Sequence, residues 1–339
     1  MTADCSIEEL SRLIAVDIPI LERAVANGLL RPRDDRHPPR FSRSEAGLVA
    51  DHSAIPRLLG RVRRDSRNDY VGRYIGPEDF EQKNRYILPF RGCWLVTDGG
   101  RQRGADGRWP SFHYYLAPCV RWAWDFCVIH PDEFDQCRAG MPVAEMLRLR
   151  FRRGQEPGKP DCALSEPGAA VPFREILNPD ATDSRLHYLY GADVVAPAPG
   201  VILDRRGRTD AEGFGAGADS PDDGSLLIRH DGGEFSQIAH VLGETIAVRP
   251  GQRVERGEFL CRAGFKHAFL PHLHWALWDS WHPVFAQGLP VRIAACEVYR
   301  DGRFVAGHDV WCERGLLVRN GGAPGDAISL NTERPWERH

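Results

Sequence analysis

The chain reads as mainly β with a small α-helical domain at its N-terminus. Three observations carry that reading. Thirty-four Gly and 25 Pro are spread over 339 residues and punctuate the chain with turns. From about residue 85 onward, short apolar runs alternate with those turns. The first 50 residues instead carry helix caps and apolar residues at helical spacing. Hydrophobic residues make up 42% and charged residues 27%, an ordinary globular balance, and the length allows one large domain plus a smaller one.

Residues 1–70 are expected to be the helical domain. Ser6 and Glu9 form a capping box ahead of Ile7, Leu10, Leu13 and Ile14. Asp17 can cap a second helix with Ile20, Leu21, Ala24 and Val25, which ends at Asn27-Gly28. An extended Arg40-Phe41 and a further cap at Ser42 follow. This order of caps and apolar stripes resembles the start of a MerR-type winged helix-turn-helix domain. That resemblance implies DNA as a partner through residues 1–70, with the second helix in a major groove. Acids nearly balance bases here, however, so a small helical domain packed on or beside the main one is the other reading. Arg57 to Arg67 reads as a basic, solvated linker, and residues 71–84 as the connection to the β domain.

The β domain is expected over residues 85–325, with a tail at 326–339. The run YILPFRGCWLV from Tyr86 reads as strand and closes on a Gly99-Gly100 turn. His113 reads as a loop histidine. Asp125 lies between Trp124 and Phe126 in an apolar strand, 12 residues further on. A carboxylate there is costly unless it meets a cation or is paired with Arg121 or a backbone donor. Residues 138–180, rich in Pro and Arg, read as an insertion. Short strands then resume, with Asp231-Gly232-Gly233 as a hairpin turn and residues 205–224 as a surface loop. His240 ends a strand pattern, where a lone histidine is usually structural. In Pro271-His272-Leu273-His274, alternation of side chains along a strand puts both imidazoles on one side. They are half of a zinc site, or a pair satisfied by hydrogen bonds under the aromatic cover of Trp275 and Trp278.

Composition excludes some classes. The formal net charge of −3 offers no global attraction to nucleic acid or an anionic membrane. No apolar run approaches the roughly 18 residues of a membrane span. Nine scattered cysteines without a Cys-x-x-Cys pair suggest free thiols, and no secretory signal is visible, so a reducing cytoplasm is expected.

Taken in order, LPFRGCWLVTDGG, the His113 to RWAWD stretch, YLYGADVVAPAPGVI, LLIRHDGGEFSQIAHV, VRPGQRVERGEFL and PHLH resemble the lysostaphin-type (LytM-like) zinc metallopeptidases over roughly residues 85–320. The resemblance implies an antiparallel β-sandwich of the duplicated hybrid, lipoyl-like type. It also implies Zn2+ held by His113, Asp125 and His274, with His240 and His272 as the two histidines that do not bind the metal. Two imidazoles and a carboxylate leave one open position, where a metal-activated water could attack an amide. The two remaining histidines could move protons or stabilise an oxyanion. The stretch from Ala263 to Leu270 is bulkier than the small-residue turn of that family, which suggests a narrowed groove and a substrate other than cell-wall peptide. His130, His187, His230 and His267 are expected at the surface or behind the site. The expected partner is therefore a peptide or a small molecule. A zinc enzyme of a small-molecule biosynthetic step and a non-catalytic, DNA-binding sensor are the alternatives. The oligomeric state is open.

Overall fold

A computed structural model describes residues 4–34, 37–51, 54–64, 71–72, 74–100, 112–115, 117–128, 189, 191–206, 224–264 and 272–321. The 138–180 insertion, most of the 205–224 loop, the 326–339 tail, His130, His187, His267 and the bulky Phe265–Leu270 stretch lie outside the described residues.

The N-terminal unit contains helices α1 (Ile7–Ile14), α2 (Ile18–Ala26), α3 (Arg43–Ala50) and α4 (Ile55–Leu59). A two-stranded pair joins β1 (Cys5–Ser6) to β2 (Arg40–Phe41). The Ser6/Glu9 capping box forms in full, and the Ser42 side chain caps α3 by accepting from Glu45 N. Asp17 occupies the N-cap position of α2 but makes no side-chain cap bond. Part of the expected Arg57–Arg67 linker is instead α4. Leu58 and Val62 are buried there, and Arg61 pairs with the Glu45 carboxylate. An apolar residue at each turn pulls this segment into the small core.

That core does not close on itself. Val284 and Phe285 of the β domain complete it beside Leu21, Ala24 and Leu58. Polar contacts flank the joint: Arg23 pairs with Asp279, and Trp281 Nε1 donates to Ala15 O at 2.7 Å. Arg23 lies on α2, the helix that a DNA-reading domain would present to a groove. Residues 75–84 run along the β domain. Trp122 Nε1 donates to Ile75 O at 3.0 Å, and Glu234 accepts from Lys83 N, Asn84 Nδ2 and Tyr86 Oη at 2.6–2.8 Å.

The β domain is mainly one antiparallel sheet of ten strands. In chain order these are β3 (Cys93–Asp98), β4 (Trp124–Val128), β6 (Gly200–Arg206), β7 (Gly224–His230), β8 (Phe235–Val241), β9 (Arg253–Val254), β11 (Leu273–Trp278), β12 (Ile293–Arg300), β13 (Arg303–Val310) and β14 (Leu317–Asn320). Their spatial order is β13-β12-β14-β3-β4-β11-β8-β7-β6-β9. A small pair, β5 (Asp193–Val195) with β10 (Phe259–Arg262), contributes to the main core with the strap Tyr86–Phe90. The expected strand from Tyr86 is regular only from Cys93. Before it, Pro89 has no N–H to give a ladder, and Tyr86 and Phe90 make isolated bridges to Ile293 and Val194.

The core side of the large sheet holds Trp124 and Phe126 of β4 and Leu273, Trp275 and Leu277 of β11. The opposite side of β11 is buried too, since Ala276 and Trp278 pack with Ala117, Cys119, Ala123 and Phe235. Strands β4 and β11 are therefore covered on both faces, which explains their near-continuous apolar sequences. No described helix is long and apolar enough to cross a membrane. All seven described cysteines are free thiols.

Candidate metal centre

The site is a transverse row on the sheet face opposite the main core. Strand register sets its middle: Asp98 of β3 pairs with Asp125 of β4, Asp125 with His274 of β11, and His274 with Ala239 of β8. His272 lies just before β11, two residues from His274 and on the same side.

Two bulges bring in residues that simple alternation would place in the core. On β8, Ile238 faces the core, so His240 should follow it there. Instead the register shifts opposite Gly224 and Ser225, and His240 adopts a left-handed φ of 63°. Its imidazole joins the row while Val241 returns to the core. On β3, Trp94 and Val96 face the core, and the register shifts between Val96 and Asp98. Thr97 Oγ1 donates to Asp125 O at 3.0 Å within this bulge. The chain then turns through Gly99 at φ 125°, where a Cβ would collide with the Trp124 ring.

His113 arrives from outside the sheet, on a short 3-10 turn, Phe112–Tyr115. The loop carrying it is braced by the Arg121 guanidinium, which lies 3.9 Å from the Tyr114 ring centre and 4.6 Å from that of Tyr74. Arg121 is thus used on the aromatic rings, and Asp125 faces the histidines.

The donors converge. His113 Nε2 is 3.3 Å from Asp125 Oδ2, and His274 Nδ1 is 3.0 Å from Asp125 Oδ1. The candidate ligand atoms of His113, Asp125 and His274 all lie within 4.8 Å of one another. Ligands about 2.0–2.1 Å from a tetrahedral zinc stand roughly 3.3 Å apart, and His113 Nε2 and His274 Nδ1 each approach one of the two Asp125 oxygens at about that distance. Two imidazole nitrogens and a carboxylate are also the donor types that zinc takes, so the residues fit the ion. The other two histidines flank this triad. His272 Nε2 is 3.5 Å from Asp125 Oδ1, and the His240 ring is centred 4.6 Å from that of His272 and 6.1 Å from that of His274.

All five side chains are buried, and the electrostatics reflect their crowding. Burial opposes ionisation of Asp125, but His113, His272 and His274 outweigh it and hold the carboxyl well below the usual carboxylate range. Burial also opposes the His113 cation, yet Asp125 and Asp98 outweigh it and raise that imidazole. His274 is lowered, chiefly by burial. Asp98, which no motif or spacing singled out in the sequence, is 1% exposed and contacts His113 directly. Its only sequence signal was an acid between an apolar strand and Gly-Gly.

His230 belongs to a different network. His230 Nε2 is 2.8 Å from Ser236 Oγ and its Nδ1 is 2.9 Å from Pro199 O, while Trp275 Nε1 donates to Ser236 Oγ at 3.1 Å. It supports the core side of β11 and is buried, not at the surface.

No protein-family model matches the chain, and no curated protein matches it in sequence. Segments are similar to solved peptidases. A zinc-containing peptidase from Vibrio cholerae is 22% identical over 26% of this chain and 24% of that one, with a TM-score of 0.20. A putative peptidase M23 from Pseudomonas aeruginosa is 26% identical over 26% and 34%, with a TM-score of 0.21. The catalytic domain of lysostaphin from Staphylococcus simulans is 20% identical over 29% of this chain and 74% of that one, with a TM-score of 0.22. The chain spans a quarter to a third of the length of the first two, and at these TM-scores the likeness is confined to a segment.

Proposed function

We propose that the chain is a zinc-dependent hydrolase acting on an amide bond of a peptide or a small molecule. One observation carries this: Asp125 is met by imidazole nitrogens of His113 and His274 at 3.3 and 3.0 Å, with two further histidines on the same sheet face. His113, Asp125 and His274 would hold the ion, which when bound supplies a Lewis acid and a water of near-neutral pKa. His240 and His272 are left for proton traffic. Their edge-to-face rings, 4.6 Å apart, can take a proton on one side of a scissile amide and return it to the leaving amine. The protonated member also supplies a charged donor for an oxyanion. The face is buried and flanked by Trp278 and Phe235, so such a donor would act in a low dielectric where it counts for more.

The test is metal analysis of the purified chain followed by turnover of a panel of peptide and acyl-amino-acid amides. One zinc per chain, and loss of at least 100-fold in kcat in His272→Ala with zinc retained, is the expected result. A chain that takes up no stoichiometric zinc, or a variant with unchanged turnover, would overturn it.

A further inference from the structure

We infer that Asp98 is a positioning residue for the metal centre: it fixes which nitrogen of His113 faces the ion. The inference rests on the zinc reading above. Asp98 Oδ2 lies 3.0 Å from His113 Nδ1, while Nε2 of the same ring lies 3.3 Å from Asp125 Oδ2. The ring thus spans two carboxylates with different tasks. A neutral imidazole has one N–H and one lone pair. With the proton on Nδ1, the nitrogen 3.0 Å from Asp98 Oδ2, the Nε2 lone pair points toward Asp125 and His274, where the cation belongs. The reverse tautomer would aim an N–H at the cation and a lone pair at a carboxylate. A histidine ligand whose other nitrogen donates to a carboxylate is held in orientation and made a better base.

Several features converge on this role. Asp98 is fully buried, and a carboxylate is costly there without a dedicated partner. It reaches the site face only through the β3 bulge, since Trp94 and Val96 on the same strand face the core. It is the cross-strand partner of Asp125, so one register sets both carboxylates around one imidazole. His113 is also the one member of the triad that no strand carries. Its short turn needs an anchor that the ladder supplies to Asp125 and His274.

Zinc affinity, measured by chelator competition on the full chain, tests this. Asp98→Ala should bind zinc 10–100-fold more weakly. Asp98→Asn, whose amide oxygen can still accept from Nδ1, should lose less. A double variant with His113→Ala should bind no more weakly than His113→Ala alone, because Asp98 acts through that ring. Asp98→Asn keeps the side-chain shape, so it carries the test if Asp98→Ala fails to fold. A merely structural carboxylate predicts lowered melting of the metal-free chain with zinc affinity intact. Unchanged affinity in Asp98→Ala, or losses from Asp98 and His113 that add, would overturn the inference while leaving the hydrolase reading standing. Absence of zinc from the unsubstituted chain would overturn both.

Discussion

His240 holds a φ of 63° within β8, a region where a side chain with a Cβ is strained by about 1–2 kcal/mol. The surrounding ladder imposes it, with His240 O accepting from Gly264 N at 2.8 Å. Strain of this kind is kept where it places a functional group. His240→Gly should therefore be more stable than His240→Ala by about 1 kcal/mol in urea unfolding, although both lose the imidazole and both should lose turnover. Equal stabilities would show that the bulge relaxes around the substitution. Asp125 is a second residue-scale test. Asp125→Asn removes the charge that three imidazoles surround and that the triad shares. Zinc affinity should fall by more than the 10–100-fold expected for a residue that only orients a ligand, as read by competition with a chelator.

At the scale of elements, β11 is supported from behind by a one-way hydrogen-bond chain. Trp275 Nε1 donates to Ser236 Oγ, the Ser236 hydroxyl donates to His230 Nε2, and His230 Nδ1 donates to Pro199 O. Only a neutral His230 can accept from Ser236, and burial pushes its pKa from the ordinary 6.5 down to about 4. Between those values the unfolded chain binds the proton and the folded chain does not, so folding stability falls as pH is lowered from 6.5 to 4. The loss from this one group is about 3 kcal/mol. Urea denaturation across that window should show a shallower pH slope in His230→Gln than in the unsubstituted chain. The network crosses β11, β8 and β7 to the start of β6, so its failure would also loosen the strand that carries His274.

The whole molecule is held together at the joint between the helical unit and the sheet. Asp279 follows β11 directly. Burial raises its pKa although Arg23 opposes this, and Gln287 N donates to it at 2.7 Å. Removing Arg23 leaves a half-buried carboxylate with Gln287 N as a remaining donor, which costs about 1–3 kcal/mol. Phe285→Ala opens a cavity in the helical core at a cost of about 3–5 kcal/mol. Calorimetry should give one transition for the unsubstituted chain, since the small core is completed by Val284 and Phe285 from the other unit. Arg23→Ala or Phe285→Ala should split off an earlier transition for the helical unit. A single transition shifted as a whole would mean that the joint is not the weak point. Because the joint lies at the end of β11, loosening it should also weaken zinc binding.

Much of the architecture was legible in the chain because local chemistry decides it. The capping box at Ser6, the Ser42 cap, the Asp231-Gly232-Gly233 turn and the paired imidazoles of His272 and His274 each depend on residues a few positions apart. The triad of His113, Asp125 and His274 came from an ordered likeness of motifs, and the register of β4 with β11 brings these residues together. Three things were decided only in the folded molecule. Asp98 and His240 reach the site face through bulges, and a bulge reverses the alternation by which a sequence assigns sides to a strand. The core of the helical unit is completed by Val284 and Phe285, more than 200 residues away, and no periodicity within its own helices encodes such a partner. Spacing and residue type are local quantities and can be read along the chain. Which face a bulged residue takes, and what completes an open core, depend on contacts that exist only once distant strands have paired.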